Sequence, residues 1–142
     1  MFKLIVALLL FVSLNANAMI FGTSKVLEAG SMGVDVVSNG VDASQYGLVS
    51  FQAVWAGGGS PDGVFTIEVS NDNVQSCTTG NESCNVTNWT TYGSSSIAIN
   101  SDGDLGYSIY DFAYRWVRVK YTRNSGTGTL NIEAVLKKES YK

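Results

Sequence analysis

Two-residue alternation of apolar and polar side chains constrains the fold of this chain more than any other feature. Phe65, Ile67 and Val69 alternate with Thr66, Glu68 and Ser70, the pattern of a half-buried β-strand with a polar outer face. Val49, Phe51, Ala53 and Trp55 alternate with Leu48, Ser50, Gln52 and Val54 in the same way. Near the C-terminus Arg115, Val117, Val119 and Tyr121 oppose Tyr114, Trp116, Arg118 and Lys120. Leu130, Ile132, Ala134 and Leu136 then oppose Thr129, Asn131, Glu133 and Val135. Shorter β-favouring pieces stand at 25–28, 34–37, 89–92, 96–99 and 107–110, separated by clusters of Gly, Asn, Asp and Ser. No apolar stripe of 3.6-residue period and helical length follows the first eighteen residues.

Alternation with one apolar face requires a second apolar face to cover it. The pattern predicts an all-β fold: a two-sheet antiparallel β-sandwich, jelly-roll-like, of about seven or eight strands. An all-β barrel satisfies the same pattern. The segment Gly57-Gly58-Gly59-Ser60-Pro61-Asp62-Gly63 reads as a break between strands, and Arg123 to Gly128 reads as the turn of a C-terminal β-hairpin.

Residues 1–18 read as a secretory signal peptide. Lys3 supplies the positive charge, Leu4 to Leu14 the apolar core, and Ala16-Asn17-Ala18 the cleavage site. That core is short of the roughly 20 residues a membrane-spanning helix needs, so no membrane span is expected in the mature chain. The remaining residues, 19–142, form one domain, secreted or periplasmic. The formal net charge of −3 provides no basic field for a phosphate backbone, and nucleic acid is not an expected partner.

Export gives the cysteines a meaning. Cys77 and Cys84 enclose a short polar loop and would form a disulfide in an oxidising compartment. Closing so small a loop contributes about 2.5 kcal/mol in the chain-entropy model, which fastens the loop without holding the fold. Three sequons, at Asn81, Asn85 and Asn88, crowd the same stretch and mark it as exposed.

The chain has no His, and so lacks the usual general base near neutral pH and the middle member of nucleophilic triads. The expectation is a protein that is not an enzyme. A glycoside-acting enzyme is the catalytic alternative, and needs two carboxyl groups roughly 5–10 Å apart in a cleft. Asp102 and Asp104, within Asn100-Ser101-Asp102-Gly103-Asp104, are the nearest pair in sequence, and the same oxygens could ligate Ca²⁺. Asp and Gly are also ordinary turn formers, and no cofactor is expected beyond that one metal reading.

The most suggestive surface is the face shared by Tyr114, Trp116, Arg118 and Lys120. Aromatic faces stack on sugar rings, and Arg holds carboxylates or hydroxyls. Packing is the competing account, with Trp116 buried and the cations as solvated charges that discourage edge aggregation. Trp55 and Trp89 carry the same two readings.

The run Phe65-Thr66-Ile67-Glu68-Val69-Ser70-Asn71-Asp72, with Trp89-Thr90 following, and the run from Tyr114 to Thr122 together resemble pieces of discoidin-like (F5/8 type C) galactose-binding-like jelly rolls. Similar pieces, with a terminal Ser-Gly-Thr-Gly-Thr-Leu, also recur in small β-sandwich proteins of phage particles and bacterial exports. Asn73 stands where the discoidin pattern carries Gly, and the cysteine loop is inserted between Asp72 and Trp89. The resemblance implies a sandwich whose end loops bind a glycan or a surface without catalysis. The expected function is therefore an exported noncatalytic binding or structural module, recognising a glycan or a surface and able to form a homo-oligomer, with a structural component of a virion or cell-surface assembly as the alternative.

Overall fold

The computed structural model describes residues 21–73 and 86–138; the signal peptide expected at residues 1–18 and both cysteines lie outside the described residues. Eight strands occur in chain order: β1 (Phe21–Ser31), β2 (Val36–Val37), β3 (Val41–Asp42), β4 (Leu48–Ser70), β5 (Thr90–Thr91), β6 (Ile97–Ile99), β7 (Gly103–Ile109) and β8 (Trp116–Lys137). Every pairing is antiparallel, and hydrogen bonds join all eight into one sheet. Among the described residues there is no helix, and hence none long and apolar enough to cross a membrane.

Two long strands carry the architecture. β4 has 23 residues and β8 has 22, and they pair from Leu48↔Lys137 to Ser70↔Trp116. The expected C-terminal hairpin is therefore absent. The segments on either side of Arg123–Gly128 do not pair with each other, because each pairs with a different half of β4. The expected break at Gly57–Gly63 is likewise part of a strand. Both glycine-rich segments sit opposite one another on the ladder, at Gly59↔Thr127 and Asp62↔Ser125. Their glycines serve a shared bend in place of two turns.

The bend is sharp. The Trp55 and Phe65 rings lie 5.1 Å apart, although the backbone between them would span about 33 Å if it ran straight. Register shifts at Ala56/Gly59 and Gly59/Asp62 put extra residues on β4, and the shift at Asp62/Gly63 puts one on β8; such bulges kink a strand and increase its twist. Positive φ at Gly58 (69°), Ser60 (46°) and Gly126 (73°) completes the turn of both strands.

The ribbon is thereby folded onto itself. The first half of β4 and the second half of β8 lie between β7 and β1; the other halves lie between β5 and β6 on one side and β2 and β3 on the other. Val49, Phe51, Ala53, Trp55, Leu130, Ile132 and Ala134 from one half share a core with Phe65, Ile67, Val69, Val117, Val119 and Tyr121 from the other. Each large side chain removed from water here contributes about 1.5–3 kcal/mol. Phe65 is central, meeting Trp55 at 5.1 Å and Tyr121 at 5.2 Å in tilted ring contacts.

Four of the marginal strands, β2, β3, β5 and β6, are short, and buried serines fill the gaps between them. Ser38, between β2 and β3, donates its N–H to Val119 O and accepts the Val119 N–H on Oγ at 3.0 Å. Ser95, between β5 and β6, accepts the Ile67 N–H on Oγ at 3.0 Å. A hydroxyl thus satisfies backbone groups that an interrupted ladder would leave unpaired. β1 is longer than the expected piece at 25–28; its register shifts between Lys25 and Gly30 and the positive φ of Ala29 disrupt the alternation that would have revealed it.

Candidate binding surface

The first half of β8 alternates as read, with Val117, Val119 and Tyr121 turned to the core. Trp116, Arg118 and Lys120 occupy the opposite face, and two polar segments lie over part of it. One is Asn71–Asn73, leaving β4, and the other is Val86–Trp89, approaching β5.

Trp116 is only 2% exposed, yet stands outside the main core cluster. Its indole Nε1–H donates to Asp72 O at 3.0 Å, and the Arg115 guanidinium lies 5.5 Å from its ring. Arg118 donates through Nε and Nη2 to Glu68 Oε2, at 2.7 and 2.6 Å, across the β4/β8 ladder. Its guanidinium carbon sits 4.1 Å from the centre of the Trp89 ring. Trp89 donates Nε1–H to Val86 O at 2.8 Å and touches Gly40 so closely that a Cβ there would come within 3.2 Å of Cη2. The alternating aromatic and cationic pattern is therefore engaged in contacts within the chain.

Asp72 fastens this layer. Its Oδ2 accepts the N–H groups of Thr87 and Asn88, at 2.8 and 2.9 Å, while Oδ1 accepts Asn88 Nδ2–H at 2.8 Å. Hydrogen bonds from the Asn88 side chain first, then from the Asn88 and Thr87 backbones, hold its carboxyl below the ordinary value of 3.8. A depressed carboxylate stabilises above its unfolded pKa, and that contribution fades as pH falls through the folded one. The expected result is that Thr87 and Asn88 amide resonances of the wild-type protein shift together below pH 3.8. They should not do so in Asp72→Asn, as a two-dimensional NMR titration will read.

Trp55 is 5% exposed and donates Nε1–H to Ser101 O at 2.6 Å, so it serves the core and the 100–102 loop together. Asp104 lies in β7 opposite Val54, and its Oδ2 accepts from Gln52 Nε2 at 3.3 Å; Asp102 Oδ2 accepts the Gly58 N–H at 3.3 Å. The strand has absorbed Gly103 and Asp104, which the sequence placed in a turn. Among the described residues no group of three or more His, Cys, Asp or Glu side chains converges as a metal site. The cysteine pair falls outside the described residues.

Tyr114 precedes β8 and leaves the face that strand periodicity assigned it. Its ring meets Tyr92 edge-on at 6.0 Å and Phe112 at 5.8 Å. There it borders an open cleft of about 510 Å³ with Ser44, Asn71, Phe112 and Arg115. Arg115 is fixed beside it, donating its backbone N–H to Asn71 Oδ1 at 2.9 Å and Nη1–H to Asn73 Oδ1 at 2.8 Å, with Asp42 Oδ2 3.8 Å from Nε. The cleft thus combines aromatic surface with hydroxyl, amide and guanidinium groups. Sequence reasoning found Tyr114 and missed Ser44, Asn71 and Arg115, which come together only through the fold.

No family model and no curated protein matches this chain. Among solved structures, a chain described under "Bacillus endospore appendages form a novel family of disulfide-linked pili" is similar at 13% identity with a TM-score of 0.38, over 85% of this chain and 91% of that one.

Proposed function

We propose that this chain is an exported, noncatalytic module that acts by contact, offering the cleft beside Tyr114 to a hydroxyl- or carboxylate-bearing ligand such as a glycan. The observation that carries the reading is the cleft's composition. Tyr114 provides apolar ring surface, backed by the largely buried Phe112, and Ser44, Asn71 and Arg115 border it with polar groups. That mixture suits sugar rings, whose faces are apolar and whose rims are hydroxyls. A volume of about 510 Å³ lies within the usual range for small-molecule sites.

Five of the carboxylates support the noncatalytic part. Asp35 accepts the Arg123 N–H, Asp42 the Ser44 N–H, Asp62 the Asn124 amide, Glu68 the Arg118 guanidinium and Asp72 the Thr87–Asn88 backbone. Each holds a loop or ladder in place, which is a structural use of charge.

The test occludes the cleft from one of its own walls while keeping the backbone contact that holds that wall. Ser44 is exposed, and only its backbone N–H bonds Asp42, so Ser44→Trp leaves that bond in place. Glycan-array hits for the wild-type protein, confirmed by shifts of the Ser44, Asn71 and Tyr114 resonances, are expected to disappear in Ser44→Trp while its melting temperature stays unchanged. Silence across a diverse array, with no shift at these residues, overturns the reading.

A further inference from the structure

The strands at the margins of the sheet are finished differently. β1 carries two register shifts and the exposed Lys25–Glu28 ion pair, devices that blunt an edge against further pairing. β2, β3 and β5 have two residues each and β6 has three, too short to template a partner strand. β7 is the exception. Its seven residues pair with β4 in unbroken register from Val49↔Ile109 to Trp55↔Gly103. Among the described residues no strand lies on its other side. The backbone N–H and C=O groups on that side form a template for one more strand.

The order of side chains along this edge identifies the partner. With Gly106 as the centre, two acids precede it, Asp102 and Asp104, and two hydroxyls follow it, Ser108 and Tyr110. Asp102, Asp104, Gly106 and Ser108 are all exposed, and Tyr110 is 67% exposed, the most of any large apolar or aromatic side chain described. A second copy laid antiparallel about a twofold axis at Gly106 sets Asp104 opposite Ser108 and Asp102 opposite Tyr110. Each carboxylate then faces a hydroxyl, which for Ser108 also meets Ser50 Oγ at 2.8 Å in its own chain, and no like charges meet. On the inner face Leu105 opposes Tyr107, and both are only partly buried in the single chain. Glycine meets glycine at the axis, where two backbones approach without side chains between them.

We propose that this chain forms a twofold dimer by antiparallel pairing of β7 with β7 of a second copy, centred on Gly106. The pairing continues the β1-β8-β4-β7 layer into its counterpart and removes from water the one long unblunted edge among the described residues. It involves none of the residues named for the cleft and stands independently of the ligand reading.

Sedimentation velocity and covalent trapping test it. Wild-type protein is expected to show a concentration-dependent rise to twice the monomer mass. Ser108→Asp sets Asp against Asp104 across the interface and is expected to weaken dimerisation about tenfold. Adding Asp104→Lys to Ser108→Asp restores an opposite-charge pair and should recover the dimer. Gly106→Cys places its Cα about 4.5–5.5 Å from its symmetry mate, within disulfide range. It should therefore give a reducible dimer whose linked peptide, identified by mass spectrometry, contains residue 106. The added Cβ has only Gln52 Oε1 near it, at 3.4 Å, so the variant is expected to fold. A protein monomeric at millimolar concentration with no bridge at 106 overturns the proposal. So does an assembly that Ser108→Asp leaves unchanged, since its contact then lies on another surface.

Discussion

Gly126→Ala is expected to destabilise the protein by roughly 2–5 kcal/mol, through left-handed strain and crowding together. Gly126 holds φ at 73°, and a Cβ built there would fall 2.1 Å from Ser60 O and 2.7 Å from Gly59 O. These are backbone atoms of the facing strand, so no rotamer change relieves them. Gly58 isolates the strain alone: its φ is 69°, and nothing lies within 4 Å of an added Cβ. Gly58→Ala should therefore cost only about 1–2 kcal/mol. Urea denaturation of the two variants measures the difference, which is the energetic cost of crowding the corner. A domain of ordinary stability, about 5–15 kcal/mol, has little margin against the larger change. Equal effects at both glycines would mean that β4 and β8 do not approach at the bend as described.

The same corner shows what alternation reveals and what it leaves out. Each half of β4 and of β8 was evident from period-two patterning, because one face of each half meets the core and the other does not. Their continuity was not evident. Gly57 to Gly63 and Arg123 to Gly128 have the composition of turns, and composition reports the freedom of a segment without saying whether it reverses the chain or bends a ladder. The difference is made by the partner strand, and Gly59↔Thr127 is a pairing between residues distant in sequence. Asp104 illustrates the same limit, since beside Gly103 it reads as a turn until pairing with Val54 shows it within a strand.

For the binding surface, residue types were informative where local contacts decide and uninformative where distant ones do. Arg118 on the polar face of its strand was foreseen. Its pairing with Glu68 follows from the β4/β8 register, which no local pattern specifies. Trp116 shows this most clearly. Strand periodicity placed it on the outer face, as observed, and an outer tryptophan beside arginine reads either as a platform for sugar or as a side chain packed against a neighbouring segment. It is covered because Asp72, 44 residues earlier, turns its carbonyl onto the indole N–H, and because the Asn71–Asn73 segment anchors to Arg115 alongside.

Trp116→Ala is accordingly expected to cost about 3–5 kcal/mol of stability, the range for emptying a buried aromatic site. Trp116→Phe keeps most of the ring and removes the donor to Asp72 O, so its cost should be nearer 1–3 kcal/mol. The graded pair separates packing from recognition. If Trp116 is a structural peg beneath the Asn71–Asn73 segment, both variants lower the urea midpoint in that order. Trp116→Ala should also speed amide exchange at Thr87 and Asn88, because the Asp72 carboxylate that holds them belongs to the residue whose carbonyl binds the indole. If it is instead a surface platform, Trp116→Ala leaves the midpoint unchanged and lowers affinity alone. The 2% exposure of the indole favours the first outcome, and it directs the search for ligand contacts away from Trp116 to the cleft beside Tyr114.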